Sequence, residues 1–276
     1  IIYWRCYNNS WRNFNCVQQK MKKKLLYFFA FIVFLFFIFL NLDSSRLTGI
    51  NYTIKEEKIS NFKKIYDFYE RYNNYKNLVK QITFNKEKNS EIFEISSWVY
   101  FNINKSKKGD KIIDSHPWTI IERETGANDQ VSDILSVLLV VNGVDAFFIP
   151  KINEIKNALT FFKYNNKWSV IDPFYGVYFL NKNEDFCSLE ELRLRKCKIF
   201  HFENKNITKD KLNKIFYDKD FYDLSDLNNY YYYLFDNCPT TNEIENTNMY
   251  LRGGRSYVQI PKHRLMYEIQ KYFGLL

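Results

Sequence analysis

Histidine, glycine and proline are scarce in this chain, and its cysteines stand too far apart to form a metal pattern. The three histidines (His116, His201, His263) are scattered, and no zinc spacing joins them to cysteine, so no metal and no other cofactor is expected. Nor is there a fixed internal period, which excludes a solenoid or other repeat array. The eight glycines and five prolines contrast with abundant Asn, Lys, Phe and Tyr, the composition that an AT-rich coding sequence produces. The run Tyr230, Tyr231, Tyr232, Tyr233 reads as the same bias rather than as a stacking platform for bases or sugars.

Charge is absent from one stretch altogether. Leu25 to Leu40 holds no polar group apart from the Tyr27 hydroxyl, and Lys22, Lys23 and Lys24 precede it directly. With Leu42 the apolar stretch reaches the lower limit for crossing a bilayer, where the backbone must be helical to satisfy its own hydrogen bonds. No small-x-small cleavage site follows; Leu42-Asp43-Ser44-Ser45 is the nearest and a poor one, so an uncleaved signal anchor is expected over a removed signal peptide. The lysines keep the N-terminal side cytoplasmic and place the rest of the chain outside, periplasmic or extracellular. Residues 1–20, with two Trp, two Cys and no pattern, read as an extension upstream of a start at Met21.

The net charge of +9 first suggests nucleic acid. However, Arg5, Arg12, Lys20, Lys22, Lys23 and Lys24 stand against a single acid, Asp43, in the first 44 residues. More than half of the excess therefore lies beside the hydrophobic run, and the expected partner of this charge is the membrane, with no nucleic acid.

Residues 42–55 read as a tether and 56–276 as one domain with enough chain for a sizeable core. Phe62, Ile65, Phe68, Tyr69, Tyr72 and Tyr75 recur at helical spacing over 60–82. A second helix is expected over 90–102 with Ile92, Ile95, Val99 and Tyr100 inward, then a polar loop at 105–110 and a short helix from Pro117. Val131, Ile134, Leu135 and Leu138 mark one face of a helix whose other faces carry Val137, Leu139, Val140 and Val141, so it is buried nearly all round; Asn142-Gly143 ends it. Strands follow at 145–149, 158–164, 167–171 and 176–180, the middle two joined at Asn165-Asn166 as a hairpin. A buried helix followed by antiparallel strands indicates an α+β fold. Beyond Ser188, helices are expected near 188–195, 208–217, 225–235 and 263–273, with Arg252-Gly253-Gly254-Arg255 as a loop.

Gly126-Ala127-Asn128-Asp129-Gln130, the buried helix, Gly143, the hairpin and Trp168-Ser169-Val170-Ile171-Asp172-Pro173-Phe174-Tyr175-Gly176 together resemble the core of transglutaminase-like proteins. The resemblance runs from about Trp98 to Leu180, roughly a third of the chain, within a core at 90–180. It implies a buried central helix packed on an antiparallel sheet and a papain-like Cys-His-Asp site. The family's nucleophile stands in a Gly-x-Cys-Asp-Gln pattern at the start of that helix, where the helix dipole favours thiolate. Asn128 holds the place here. The family's histidine precedes the tryptophan by about eleven residues, which falls on Asn157. Of the three positions only Asp172 keeps its family residue, and an amide is neither a thiol nucleophile nor a general base near neutral pH.

The resemblance thus implies a degenerate site with no intact catalytic residue, its cleft edged by His116, Asp129, Gln130, Trp168 and Tyr175. Purely structural roles also fit: Asn128 as a helix cap, Asp129 at the positive end of the helix, Asp172 in a turn before Pro173. The expected function is a membrane-anchored binding or scaffolding module of the cell envelope, with a polysaccharide, a peptide or an envelope protein as partner. The alternative is a thiol hydrolase or acyltransferase with a non-standard site, for which Cys187 and His201 are the available pair. In an exported domain Cys187 and Cys197 are also candidates for a disulfide, which their spacing alone does not establish.

Overall fold

The computed structural model describes residues 23–50, 53–87, 90–106, 116–203 and 224–276. The expectations for residues 1–20, for most of the loop at 105–110 and for a helix at 208–217 fall outside the described residues. The chain divides into two compact units, one of residues 1–48 and 55–67, the other of residues 49–54 and 68–276.

In the first unit, helix α1 (Lys23–Asn41) is long and apolar enough to cross a membrane, and its apolar side chains are exposed; a signal sequence has the same features. The last carbonyls of a helix lack intrahelical donors. Asn61 supplies one here, its Nδ2 donating to Phe39 O at 3.0 Å, while its backbone N–H donates to Leu42 O at 3.0 Å. The chain between must therefore return to its starting point. It does so as two paired strands, β1 (Asp43–Ile50) and β2 (Thr53–Ser60), which replace the expected tether because pairing satisfies backbone groups that a loop leaves to water. Helix α2 (Asn61–Ile82) follows as expected, but only part of its expected inward face is buried. Tyr75 and Val79 are buried, whereas Phe62, Ile65 and Tyr69 are exposed.

The second unit is built around α5. Helix α3 (Glu91–Asn102) buries Ile92, Ile95 and Val99, while Tyr100 is half-buried and donates to Glu203 Oε1 at 3.0 Å. Two short strands, β3 (Asn104–Lys105) and β4 (Thr125–Gly126), pair in parallel on either side of α4 (Pro117–Arg123). A Cβ on Gly126 would lie 3.1 Å from Ile120 Cγ2 and 3.3 Å from Val131 Cγ2, so a side chain there would push α4 off α5. Helix α5 (Asn128–Val141) is buried from Gln130 to Val140, and Gly143 (φ +85°) follows its end.

Strands β5 (Ala146–Ile149), β6 (Leu159–Tyr164), β7 (Lys167–Asp172), β8 (Val177–Leu180) and β9 (Lys198–His201) form an antiparallel sheet in sequential order. The first four match the sequence pattern to within a residue or two at each end; β9 carried no readable signal. Ser132 Oγ donates to Ala158 O and Thr160 Oγ1 donates to Ser132 O, both at 3.1 Å, which stitches α5 to β6. Phe179, on β8, meets Tyr231 and Phe235 of α7 (Leu224–Asp236) with ring centroids 5.2 and 4.9 Å apart. Between β8 and β9 lies α6 (Leu189–Arg193), opened by a Ser188–Glu191 capping box.

The last elements are α8 (Thr241–Asn246), α9 (Met249–Tyr257) and α10 (Pro261–Tyr272). Arg252 to Arg255, expected as a loop, lies inside α9, with non-helical angles only at Gly253. A Cβ there would meet Phe147 Cβ at 2.7 Å, so the glycine permits close approach to β5 rather than marking a turn.

Asp133 is an unexpected charge inside α5, almost wholly buried. Its Oδ2 lies 3.3 Å from Arg255 Nη2 of α9. Burial raises its pKa to about 7, with Arg255 opposing and Asp129 adding to the rise. The folded protein thus holds this proton more tightly than the unfolded chain. The group favours folding below about pH 4, and that contribution is lost as pH climbs towards 7. Asp133→Asn should therefore gain on the native protein by about 2–4 kcal/mol between pH 4 and 8. Urea unfolding at each pH reads the difference; parallel profiles contradict the assignment.

Candidate functional site: a hydrogen-bonded chain from α5 to α7

Asn128, Asn157 and Asp172 are far apart in sequence and joined in space. Asn128 opens α5, but it is not the cap. Ala127 is the N-cap residue, and its backbone N–H donates to Gln130 Oε1 at 3.0 Å. Freed from capping, the Asn128 side chain reaches across to the chain entering β6. Its Oδ1 accepts from Ala158 N at 2.9 Å, and its Nδ2 donates to Asn157 Oδ1 at 2.7 Å. Asn157, wholly buried, passes the pattern on: its Nδ2 donates to Asp172 Oδ2 at 2.8 Å.

Asp172 ends β7 and is also wholly buried. Its Oδ1 accepts from Tyr175 N at 3.0 Å, the turn role expected before Pro173, and its Oδ2 accepts a further bond from the Tyr231 hydroxyl at 2.9 Å. Burial pushes its carboxyl pKa up, while Tyr175 N–H, Asn157, Tyr231 and the Lys105 charge pull it back. Lys105 Nζ sits 5.0 Å from the Tyr175 ring centre and 5.2 Å from that of Phe174. The Tyr231 hydroxyl is held protonated well beyond its usual range by burial and by the Asp172 charge.

The direction of the chain follows from its ends. A carboxylate only accepts, and a backbone N–H only donates. Asn157 must therefore turn its NH2 to Asp172 and its oxygen to Asn128, which must turn its own oxygen to Ala158. Neither amide takes up a proton near neutral pH, and neither is a strong nucleophile. What the arrangement does is tie the start of α5 to the sheet and to α7 through polar groups that satisfy one another.

The remaining expected residues lie elsewhere. His116 is the N-cap of α4, its Nδ1 accepting from Trp118 N at 3.2 Å. Asp129 is exposed in the first turn of α5, and Gln130 is buried, with Arg123 Nη2 as a second donor to its Oε1 at 3.0 Å. Trp168 is buried at the other end of β7, about 13 Å along the strand from Asp172. Its Nε1 donates to Glu245 Oε1 at 2.7 Å and the Arg252 guanidinium lies over its ring at 4.8 Å. Tyr175 touches the chain through its backbone.

Cys187 is bonded to Cys197, so it offers no thiolate in this state. His201 is buried, its Nδ1 accepting from Glu203 N at 3.1 Å. Cys238 is the free cysteine among the described residues; it is buried, and its thiol pKa is pushed up to about 12. Among the described residues no cluster of His, Cys, Asp or Glu could hold a metal.

Tyr231 is the member of the chain that sequence reasoning missed. A signal existed: Leu227, Tyr231, Leu234 and Phe235 fall at the spacing of one helix face, and all four are buried. Removing a link should show its role. Asn157→Leu strands the donors and acceptors of Asn128 and Asp172, for an expected loss of about 2–4 kcal/mol; Tyr231→Phe removes one donor, for about 1–2 kcal/mol. Chemical denaturation checks both, and a neutral Asn157→Leu contradicts the arrangement.

No family model matches this chain, and no curated protein matches it. Among solved structures, one described as the crystal structure of a TGase aligns at 13% identity with a TM-score of 0.31, over 47% of this chain and 43% of the other. The chain thus spans less than half the length of that protein.

Proposed function

We propose that this chain is a membrane-anchored domain of the transglutaminase-like kind in which thiol catalysis has been lost, and that it acts as a binding or scaffolding module of a cell envelope. The observation that carries the reading is the polarity of the buried chain. In a neutral Cys-His-Asp site the thiol donates to the imidazole and the imidazole donates to the carboxylate. Asn128 donates to Asn157 and Asn157 donates to Asp172 in the same sequence. Amides preserve the connections of such a site while removing its nucleophile and its base.

The setting fits an exported domain. Lys22 to Lys24 precede the apolar run of α1, Leu25 to Leu40, and favour a cytoplasmic N-terminal side, with α1 as an uncleaved anchor. The Cys187–Cys197 disulfide suits an oxidising compartment. A polysaccharide, a peptide or another envelope protein is the class of partner in keeping with this placement.

Restoring the lost groups tests the reading. Asn128→Cys places a thiol at the start of α5, and adding Asn157→His supplies a base held by Asp172. The double variant should react with iodoacetamide at about pH 6 at least tenfold faster than Asn128→Cys alone, because the imidazole stabilises the thiolate. Equal rates would mean that the three positions do not have the geometry of a thiol site.

A further inference from the structure

Helix α10 is built inside out. The residues it turns to the protein are its more polar ones: His263, whose ring meets those of Tyr250 and Tyr257, with Tyr267 against Tyr250 and Gln270 accepting from Asn248 Nδ2 at 3.4 Å. No residue of α10 is buried. Its opposite face carries Leu265, Met266, Ile269 and Tyr272, followed by Phe273; Leu265 is 62% exposed, Tyr272 85% and Phe273 68%. At 3.6 residues per turn these positions form one stripe. A contiguous apolar stripe in water is unfavourable and marks a surface that something covers.

The flanks of the stripe favour a lipid surface. Lys262 stands at the N-terminal end of the stripe, and Arg264 and Lys271 lie on the adjoining polar face with one acid, Glu268, which pairs with Arg264 at 2.8 Å. An apolar face backed by a polar face of net positive charge, with aromatic side chains towards one end, is the pattern of a helix lying in a membrane interface. A similar feature occurs in the first unit, where Phe62, Ile65 and Tyr66 are exposed within two turns of Asn61, the residue bonded to the end of α1. A chain already anchored by α1 is held at high local concentration near the bilayer, so a modest second contact suffices.

We propose that the face of α10 formed by Leu265, Met266, Ile269, Tyr272 and Phe273 docks on the surface of an anionic bilayer. The inference rests on α1 being a membrane anchor. The test uses the full chain with Cys6→Ser and Cys16→Ser, reconstituted in vesicles of phosphatidylglycerol and phosphatidylcholine in equal parts. An environment-sensitive fluorophore is attached at Ile269→Cys or, in a separate protein, at Phe34→Cys inside α1. Doxyl-labelled lipid should quench most of the emission from both sites, and aqueous iodide should quench neither. Adding Leu265→Glu, an exposed change that leaves the fold intact, should at least halve the lipid quenching at position 269 and leave that at position 34 unchanged. If position 34 is quenched by lipid while position 269 is open to iodide, the docking proposal fails and the anchor stands. A position 269 shielded from both quenchers means that protein covers the stripe, which also overturns the proposal. A position 34 that lipid does not quench overturns the anchor itself.

Discussion

A carboxylate taken out of water needs donors, and Asp172 recruits them from three separate parts of the chain. Tyr175 N–H comes from its own turn, the Asn157 amide from the entry to β6, and the Tyr231 hydroxyl from α7. The Asn157 oxygen, left facing the other way, accepts from Asn128 at the start of α5. One buried charge thereby fixes the mutual position of a helix start, a hairpin and a distant helix. Leaving any member unpaired costs the desolvation of a polar group, so the members depend on one another more than apolar neighbours do.

The same constraint explains the burial of α5. The hydrophobic effect that buries an enclosed helix is not directional, and polar bonds add direction to its packing. Such bonds occur at intervals along it: Asn128 to Ala158 at the start, Ser132 to Ala158 and Thr160 one turn on, then Ser136 to Ser256 at 2.6 Å on the side of α9. Asp133 and Arg255 add a charged contact on that side. The helix is oriented by a few hydrogen bonds and stabilised by its apolar faces.

The central part of this fold was legible because its signals are local. Helix periodicity, the Asn165-Asn166 hairpin and Gly143 placed α5 and β5 to β8 closely, and the family resemblance, counted back from Trp168, pointed to Asn157, which meets Asn128 and Asp172. What stayed hidden depends on contacts between segments distant in sequence. Gly253 resembles a loop residue until Phe147 is seen against it. Tyr231 resembles compositional bias until its hydroxyl meets Asp172. The strands at 43–60 carry no strong alternation, and they form where Asn61 returns to the end of α1. Asn128 suited a cap by residue type, yet the Gln130 side chain took the Ala127 N–H and left Asn128 free to reach β6.

Inside the folded protein the side-chain amides of Asn128 and Asn157 are committed to one another. Hydrogen exchange of their side-chain NH2 groups, followed by NMR on selectively labelled asparagine, reports this directly. The Asn157 NH2 should exchange orders of magnitude more slowly than that of exposed Asn73, on the timescale of backbone amides in α5. Exchange as fast as that of Asn73 would mean that the buried chain does not form, and the proposed descent from a thiol site would lose its physical basis.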